Sequence, residues 1–289
     1  MVDVPPTSPH KTVTIGAASE HKQEISRFLN QNNLTHLHLD WFNPLDWLGQ
    51  HPFLLDKHQE QIQAVMLAVP EVSNSSWVRL FSVKNDIAVQ DVWERLLKKT
   101  ETILKDQHIN QLGTLGLSDW ITGLLIRSNF YLDNKIVVLE WIGDSLPKKS
   151  LKSQIDIRSM CLEDLPAIEK IDHLAFASLW QNSLEGLTKA FNQPGFSTVA
   201  TQQNQIIGYQ ISTAVTIQGH LARLAVHPDH QGQQVGTGLV VDLLSRMLKN
   251  GIHNITVNTQ YDNFSSLAIY QKLGFNQTQE TIPVYVKHL

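Results

Sequence analysis

A repeat of layout constrains this chain more than any single motif does. Residues 53–69, "FLLDKHQEQIQAVMLAV", read as strand, polar turn and strand, and residues 196–211, "FSTVATQQNQIIGYQI", read the same way. Each hairpin is followed by an apolar strand, "WVRLFSV" at 77–83 and "HLARLAV" at 220–226. An amphipathic helix comes next, its stripe formed by Ile87, Val92, Leu96, Leu97, Ile103 and Leu104 in the first copy and by Val240, Leu243, Leu244, Met247 and Leu248 in the second. A further strand and short helix close the copies at "LLIRSNF" (124–130) and "IYQKLGF" (269–275). The copies are offset by 143 residues at the hairpin and 145 at the closing Phe, which predicts two tandem domains of one plan. The expected division is a first domain at 1–143, a linker at 144–153 that carries the proline and lysines of "PKKSLK", and a second domain at 154–289. Alternating strands and helices make each an α/β domain with a central mixed, mostly antiparallel sheet flanked by helices.

Composition narrows the partners. The chain has 289 residues, 42% of them hydrophobic and 17% charged, and no apolar run reaches the roughly 20 residues of a spanning helix. A soluble protein without membrane association is expected. A net charge of −4 gives no electrostatic footprint for nucleic acid. Cys161 is the only cysteine and "MVDVPPTSPHKT" lacks a secretory pattern, so a cytoplasmic location is expected. Homodimer formation is compatible with these features.

The second copy carries a feature the first lacks. After Val226, Pro228 blocks the strand, and Gly232, Gly236 and Gly238 surround a helix start. Backbone N–H groups at a helix N-terminus point outward and favour an anion, and glycine lets that backbone approach a ligand closely. The first copy instead reads "KNDIAVQDVWERLL", with Asp86 and Asp91 where an anion would sit. No Walker lysine follows the loop, and its spacing is not that of a dinucleotide fingerprint. The loop alone also reads as a plain turn.

A second segment, "NFSSLAIYQKLGF" at 263–275, follows in the order that decides between these readings. Together, Gln231-Gly-Gln-Gln-Val-Gly236 and the run from Asn263 to Phe275 resemble motifs A and B of the GCN5-related N-acetyltransferases. Gln234 stands where that family usually has its first loop glycine. The resemblance implies acetyl-CoA as cosubstrate and no metal. Backbone groups of Leu224, Ala225 and Val226 would pair with the pantetheine arm as with an added strand. The loop Gln231, Gly232, Gln233, Gln234, Val235, Gly236, Thr237 and Gly238 would hold the pyrophosphate, with Asn263 and Ser266 ordering the cofactor side of the next helix.

The resemblance places Tyr270 as general acid for the departing thiolate. Asn258 occupies the position where relatives that acetylate ribosomal protein N-termini often carry a glutamate, and an amide cannot take a proton. His173 and His220 are the candidate bases, since imidazole titrates near pH 6.5. His227 and His230 read as a surface turn without further metal ligands. Without a strong base the acceptor must supply neutral amine. An α-amine of pKa about 7.8 does so more readily than lysine at about 10.4, by about 3.5 kcal/mol. The expected acceptor is therefore a peptide N-terminus, an amino acid or a small amine. The alternative reading is a non-catalytic acyl-CoA-binding or regulatory module. The tryptophan-rich stretch 39–53 fills a core or lines a cleft.

Overall fold

The computed structural model describes residues 12–31, 34–146 and 155–289. The stretch "PKKSLK", most of the expected linker and residues 1–11 lie outside these. The chain divides into two compact units. One runs to Tyr131 and includes Val286–Leu289; the other spans Leu132–Tyr285. No helix among the described residues is long and apolar enough to cross a membrane.

The first unit contains β1 (Val13–Gly16), α1 (Lys22–Leu29), β2 (Leu34–Leu37), β3 (Phe53–His58), β4 (Gln61–Leu67), β5 (Ser75–Trp77), β6 (Leu80–Val83), α2 (Val89–Asp106), β7 (Gln111–Leu115) and α3 (Asp119–Arg127). Five of its strands make an antiparallel sheet in the order β1-β3-β4-β6-β2, while β5 pairs parallel with β7. Ile25, Phe28, Phe42, Trp47, Phe53, Val65 and Leu80 form one buried cluster, so the tryptophan-rich stretch fills a core. The α2 stripe buries Val92, Leu96, Leu97 and Leu104, as its period requires.

After β8 (Tyr131–Ile142) come β9 (Asp156–Ser159), α4 (Leu165–Ala175), α5 (Leu184–Phe191), β10 (Ser197–Gln202), β11 (Gln205–Val215), β12 (Gln218–Val226), α6 (Val235–Lys249), β13 (Asn254–Gln260), α7 (Phe264–Lys272) and β14 (Asn276–His288). Strand order in the second unit is β14-β8-β13-β12-β11-β10-β9, with β12 and β13 parallel. Both sheets are flanked by helices in a mixed α/β architecture. Leu221, Ile255, Val257, Val137, Leu139 and Trp141 pack one sheet face against Val240, Leu243, Leu244 and Met247 of α6 and Tyr270 of α7.

The units do not divide where the copies do. The sequence gives β8 to the first domain, ending at 143, whereas Ile136–Ile142 pair antiparallel with Gln260–Asn254 of the second unit. A strand's N–H and C=O groups must find partners, and those of β8 find them on β13, which moves the boundary to Tyr131/Leu132. The last residues return to the first unit, where Leu289 N–H donates to Asn110 O at 2.9 Å and Lys287 pairs with Glu101.

Strand registers reveal the repeat more sharply than the residues do. Ser75 pairs parallel with Gln111, and Gln218 with Asn254, each residue 143 positions from its counterpart. In both units the chain then leaves its parallel partner while running antiparallel to the preceding hairpin strand, Leu80–Val83 along β4 and Arg223–Val226 along β11. The departure in the second unit is a bulge: Ile211 faces Arg223 and Ser212 faces Leu221, leaving Ala222 unpaired between them.

The outer edges exposed by that departure are treated differently. In the first unit β2 lies antiparallel along it, from Leu34↔Val83 to Leu37↔Leu80. In the second, the parallel register ends at Leu221↔Val257, and no strand among the described residues continues along the outer edge of Arg223–Val226.

Candidate active site

The open edge of β12 leads directly into the glycine loop. His227 accepts the Asp229 N–H through Nδ1 at 3.3 Å, and Gln231 Nε2 donates to Val226 O at 3.2 Å, so the turn folds back on the strand end. The rings of His227 and His230 stand edge to face with centroids 5.8 Å apart. No cluster of three or more His, Cys, Asp or Glu suited to a metal occurs among the described residues.

Gly232 has φ +71°, a left-handed conformation that suits glycine. Gln234, the N-cap of α6, is also left-handed, at φ 67° and ψ 14°, and its side chain makes no capping hydrogen bond. The first-turn amides of Val235, Gly236 and Thr237 therefore stand without a side-chain acceptor, and no acidic residue lies in that turn. A Cβ on Gly236 would meet Ile269 Cδ1 at 3.2 Å and Val226 Cγ2 at 3.6 Å. Glycine is what lets α6 begin close to β12 and α7. Gly238 and Thr237 are buried behind it, while Gln231, Gly232 and Gln234 are exposed.

Asn263 caps α7, its Oδ1 accepting the Ser266 N–H at 3.2 Å and the Ser265 hydroxyl at 3.0 Å. Tyr270, about two turns later, is 3% exposed, its ring 5.6 Å from that of Phe275. Burial pushes its pKa up, so the phenol stays protonated at neutral pH.

The two candidate bases sit in different surroundings. His173 is exposed near the end of α4, and its Nε2 lies 3.0 Å from Asn182 O, so that nitrogen acts as a donor tying down the following loop. His220 is half-buried on β12, with Nδ1 2.8 Å from Thr256 Oγ1. Burial lowers its pKa and keeps the ring neutral. Thr256 Oγ1 also reaches Gly219 O at 3.5 Å, a carbonyl that only accepts. A hydroxyl proton directed at that carbonyl makes His220 Nδ1–H the donor to Oγ1 and leaves Nε2 its lone pair, the tautomer assigned from this pair of contacts.

Beside the bulge lies a network not anticipated from the sequence. Arg223 Nη2 donates to Asp172 Oδ2 and to Trp180 O, both at 2.6 Å, and its guanidinium carbon sits 3.7 Å from the centre of the Phe176 ring. Tyr209, itself fully buried, donates its hydroxyl to Asp172 Oδ2, while Asp172 Oδ1 accepts the Asn182 N–H at 2.9 Å. The segment between α4 and α5 is thus fastened to the strand edge by one buried carboxylate. A lone arginine inside "HLARLAV" was the available signal.

The stretch that carries this strand edge and helix start resembles known proteins. The model of the Acetyltransferase (GNAT) family matches residues 165–275. The second unit belongs to this family. The [ribosomal protein bS18]-alanine N-acetyltransferase of Escherichia coli strain K12 is 28% identical over 121 residues, covering 42% of this chain and 80% of that protein. N-alpha-acetyltransferase 30 of Schizosaccharomyces pombe is 31% identical over 87 residues, covering 28% of this chain and 58% of that protein. The whole chain shares its fold with a tandem GNAT protein from the clavulanic acid biosynthesis pathway. The TM-score is 0.64 at 11% identity, covering 96% of this chain and 98% of that one. In this GNAT unit the bulge at Ala222, the open edge of β12 and the loop before α6 follow one another without a break along the chain.

Proposed function

We propose that the second unit transfers an acetyl group from acetyl-CoA to a primary amine, the α-amine of a peptide N-terminus or a small molecule. The carrying observation is the free outer edge of Arg223–Val226 next to the uncapped amides of Val235–Thr237. Leu224, Ala225 and Val226 would receive the extended amide arm of the donor as an added strand, and the loop from Gln231 to Gly238 its pyrophosphate. Asn263 and Ser266 hold the start of the helix that carries Tyr270.

The donor supplies a carbonyl activated as a thioester. The neutral amine attacks that carbon; a C–N bond forms and the C–S bond breaks. His220 Nε2 takes the proton lost by nitrogen, and Tyr270 supplies one to sulfur. Its high pKa suits the donor role only as the sulfur becomes basic in the transition state. His173 serves better as a tether of the 176–183 loop. The α-amine preference is supported by the E. coli and S. pombe relatives, whose names specify alanine and N-alpha acetylation.

The first unit is read as a degenerate copy without donor binding. Its corresponding edge, Leu80–Val83, is paired with β2, and Asp91 lies in the first turn of α2. Calorimetry with acetyl-CoA on the full chain is expected to give one site per chain, lost in Gly236→Leu. Two sites would revive the first unit, and none would end the acyl-transfer reading.

A further inference from the structure

We infer that Glu140, on the strand that the sequence assigns to the other domain, binds the ammonium form of the acceptor. This rests on the acyl-transfer reading of the second unit.

Thr213, His220, Thr256 and Glu140 are successive Cα partners across β11, β12, β13 and β8. Directly paired residues project to the same face of a sheet. Their chain neighbours Leu221, Ile255, Val257, Leu139 and Trp141 all lie in the core against α6 and α7, so the row stands on the opposite face. Arg223, the next face-sharing residue past the bulge, reaches Asp172 of α4 on that same side. Strands lie about 4.8 Å apart, which separates the Glu140 and His220 backbones by about 10 Å with Thr256 between them.

The carboxylate is held but not neutralised. Asn254 Nδ2 donates to Glu140 Oε1 at 2.7 Å, and no Lys or Arg pairs with Glu140 among the described residues. Glu140 is half-buried, and Asn258, one step along the same face of β13, is exposed, so this part of the face is open. A half-buried carboxylate with only an amide partner suits a cationic ligand. At neutral pH most of an α-amine of pKa about 7.8 is ammonium. Glu140 attracts that form by a charge-assisted hydrogen bond, and His220, two strands away in the same row, takes the proton that must leave before attack. The row thereby supplies recognition and deprotonation from two side chains, where Asn258 supplies neither.

Glu140→Gln keeps the acceptor oxygen for Asn254 and removes the charge. The test uses the full chain with acetyl-CoA and a panel of an alanyl tetrapeptide, glycinamide and an N-blocked lysyl peptide. For the best amine, E140Q is expected to raise KM about tenfold or more, with kcat changed little and acetyl-CoA affinity by calorimetry unchanged. KM of the unsubstituted protein should rise with sodium chloride while that of E140Q does not, and Glu140→Asp should fall between the two. An unaltered amine KM in E140Q would overturn the assignment alone, as would a parallel loss of acetyl-CoA affinity. Acetyl-CoA bound without acetylation of any amine in the panel would overturn the transfer reading and this assignment with it.

Discussion

Arg223 Nε donates to Asp172 Oδ2 across 2.8 Å, and that same buried oxygen accepts the hydroxyl of Tyr209. Removing the charge from one partner leaves the other buried and uncompensated. Asp172→Asn is expected to destabilise the second unit by about 3 kcal/mol in urea unfolding. A loss below about 1 kcal/mol would mean that the ring stack and the Trp180 carbonyl hold Arg223 without it.

Gln234 holds a conformation that glycine reaches without strain. Gln234→Gly relieves about 1 kcal/mol of left-handed strain, partly offset by the greater freedom of the unfolded chain. A thermal midpoint raised slightly, with acetyl-CoA affinity kept, is the expected pair of results. Gln234→Val should lower the midpoint; equal midpoints for the two variants would show that φ is not the constraint.

His36 in the first unit is buried beside the Val78 carbonyl and Thr114, and burial lowers its pKa to about 4. The unfolded chain takes up the proton near 6.5, so stability is complete above that value and falls as pH drops toward about 4. The full loss is about 3 kcal/mol. His38, half-buried and close to the Arg79 charge, is shifted in the same direction. Guanidinium unfolding at pH 7.5 and pH 4.5 should show this loss in the parent protein and a smaller one in His36→Gln. An identical pH response in both would refute the assignment.

Tyr270→Phe separates an enzyme from a passive binder. The ring stays packed in the core and the proposed proton donor is gone. Acetyl-CoA affinity is expected to hold while turnover on amines drops by about a hundredfold or more. Unchanged turnover would leave Tyr270 as packing against Phe275 and nothing else.

Patterns local to the chain were legible in the sequence. The hairpins at 53–67 and 197–215, the stripes of α2 and α6 and the glycine loop all depend on spacing within one element. Pairing across the fold was not. Nothing in "TLGLSDW" or "IVVLEWI" says that β8 joins the sheet of β13, and Glu140 stayed hidden with it. "WVRLFSV" read as one strand, yet it splits into β5 and β6 because its two ends follow different neighbours. Asp172 sits beside the conspicuous His173, and its burial depends on an arginine 51 residues away. Gln234 looked like a departure from a glycine pattern, while its backbone keeps the glycine-like angle.

β2 also sets what it would take to give the first unit a ligand. Its backbone already occupies the edge of Leu80–Val83, with ladder hydrogen bonds in a fixed register. Grafting the Gln231–Gly238 loop before α2 would add the proposed anion cradle but leave the adjoining track occupied. A newcomer would have to displace a covalently tethered competitor, whose effective concentration at that edge is on the order of millimolar.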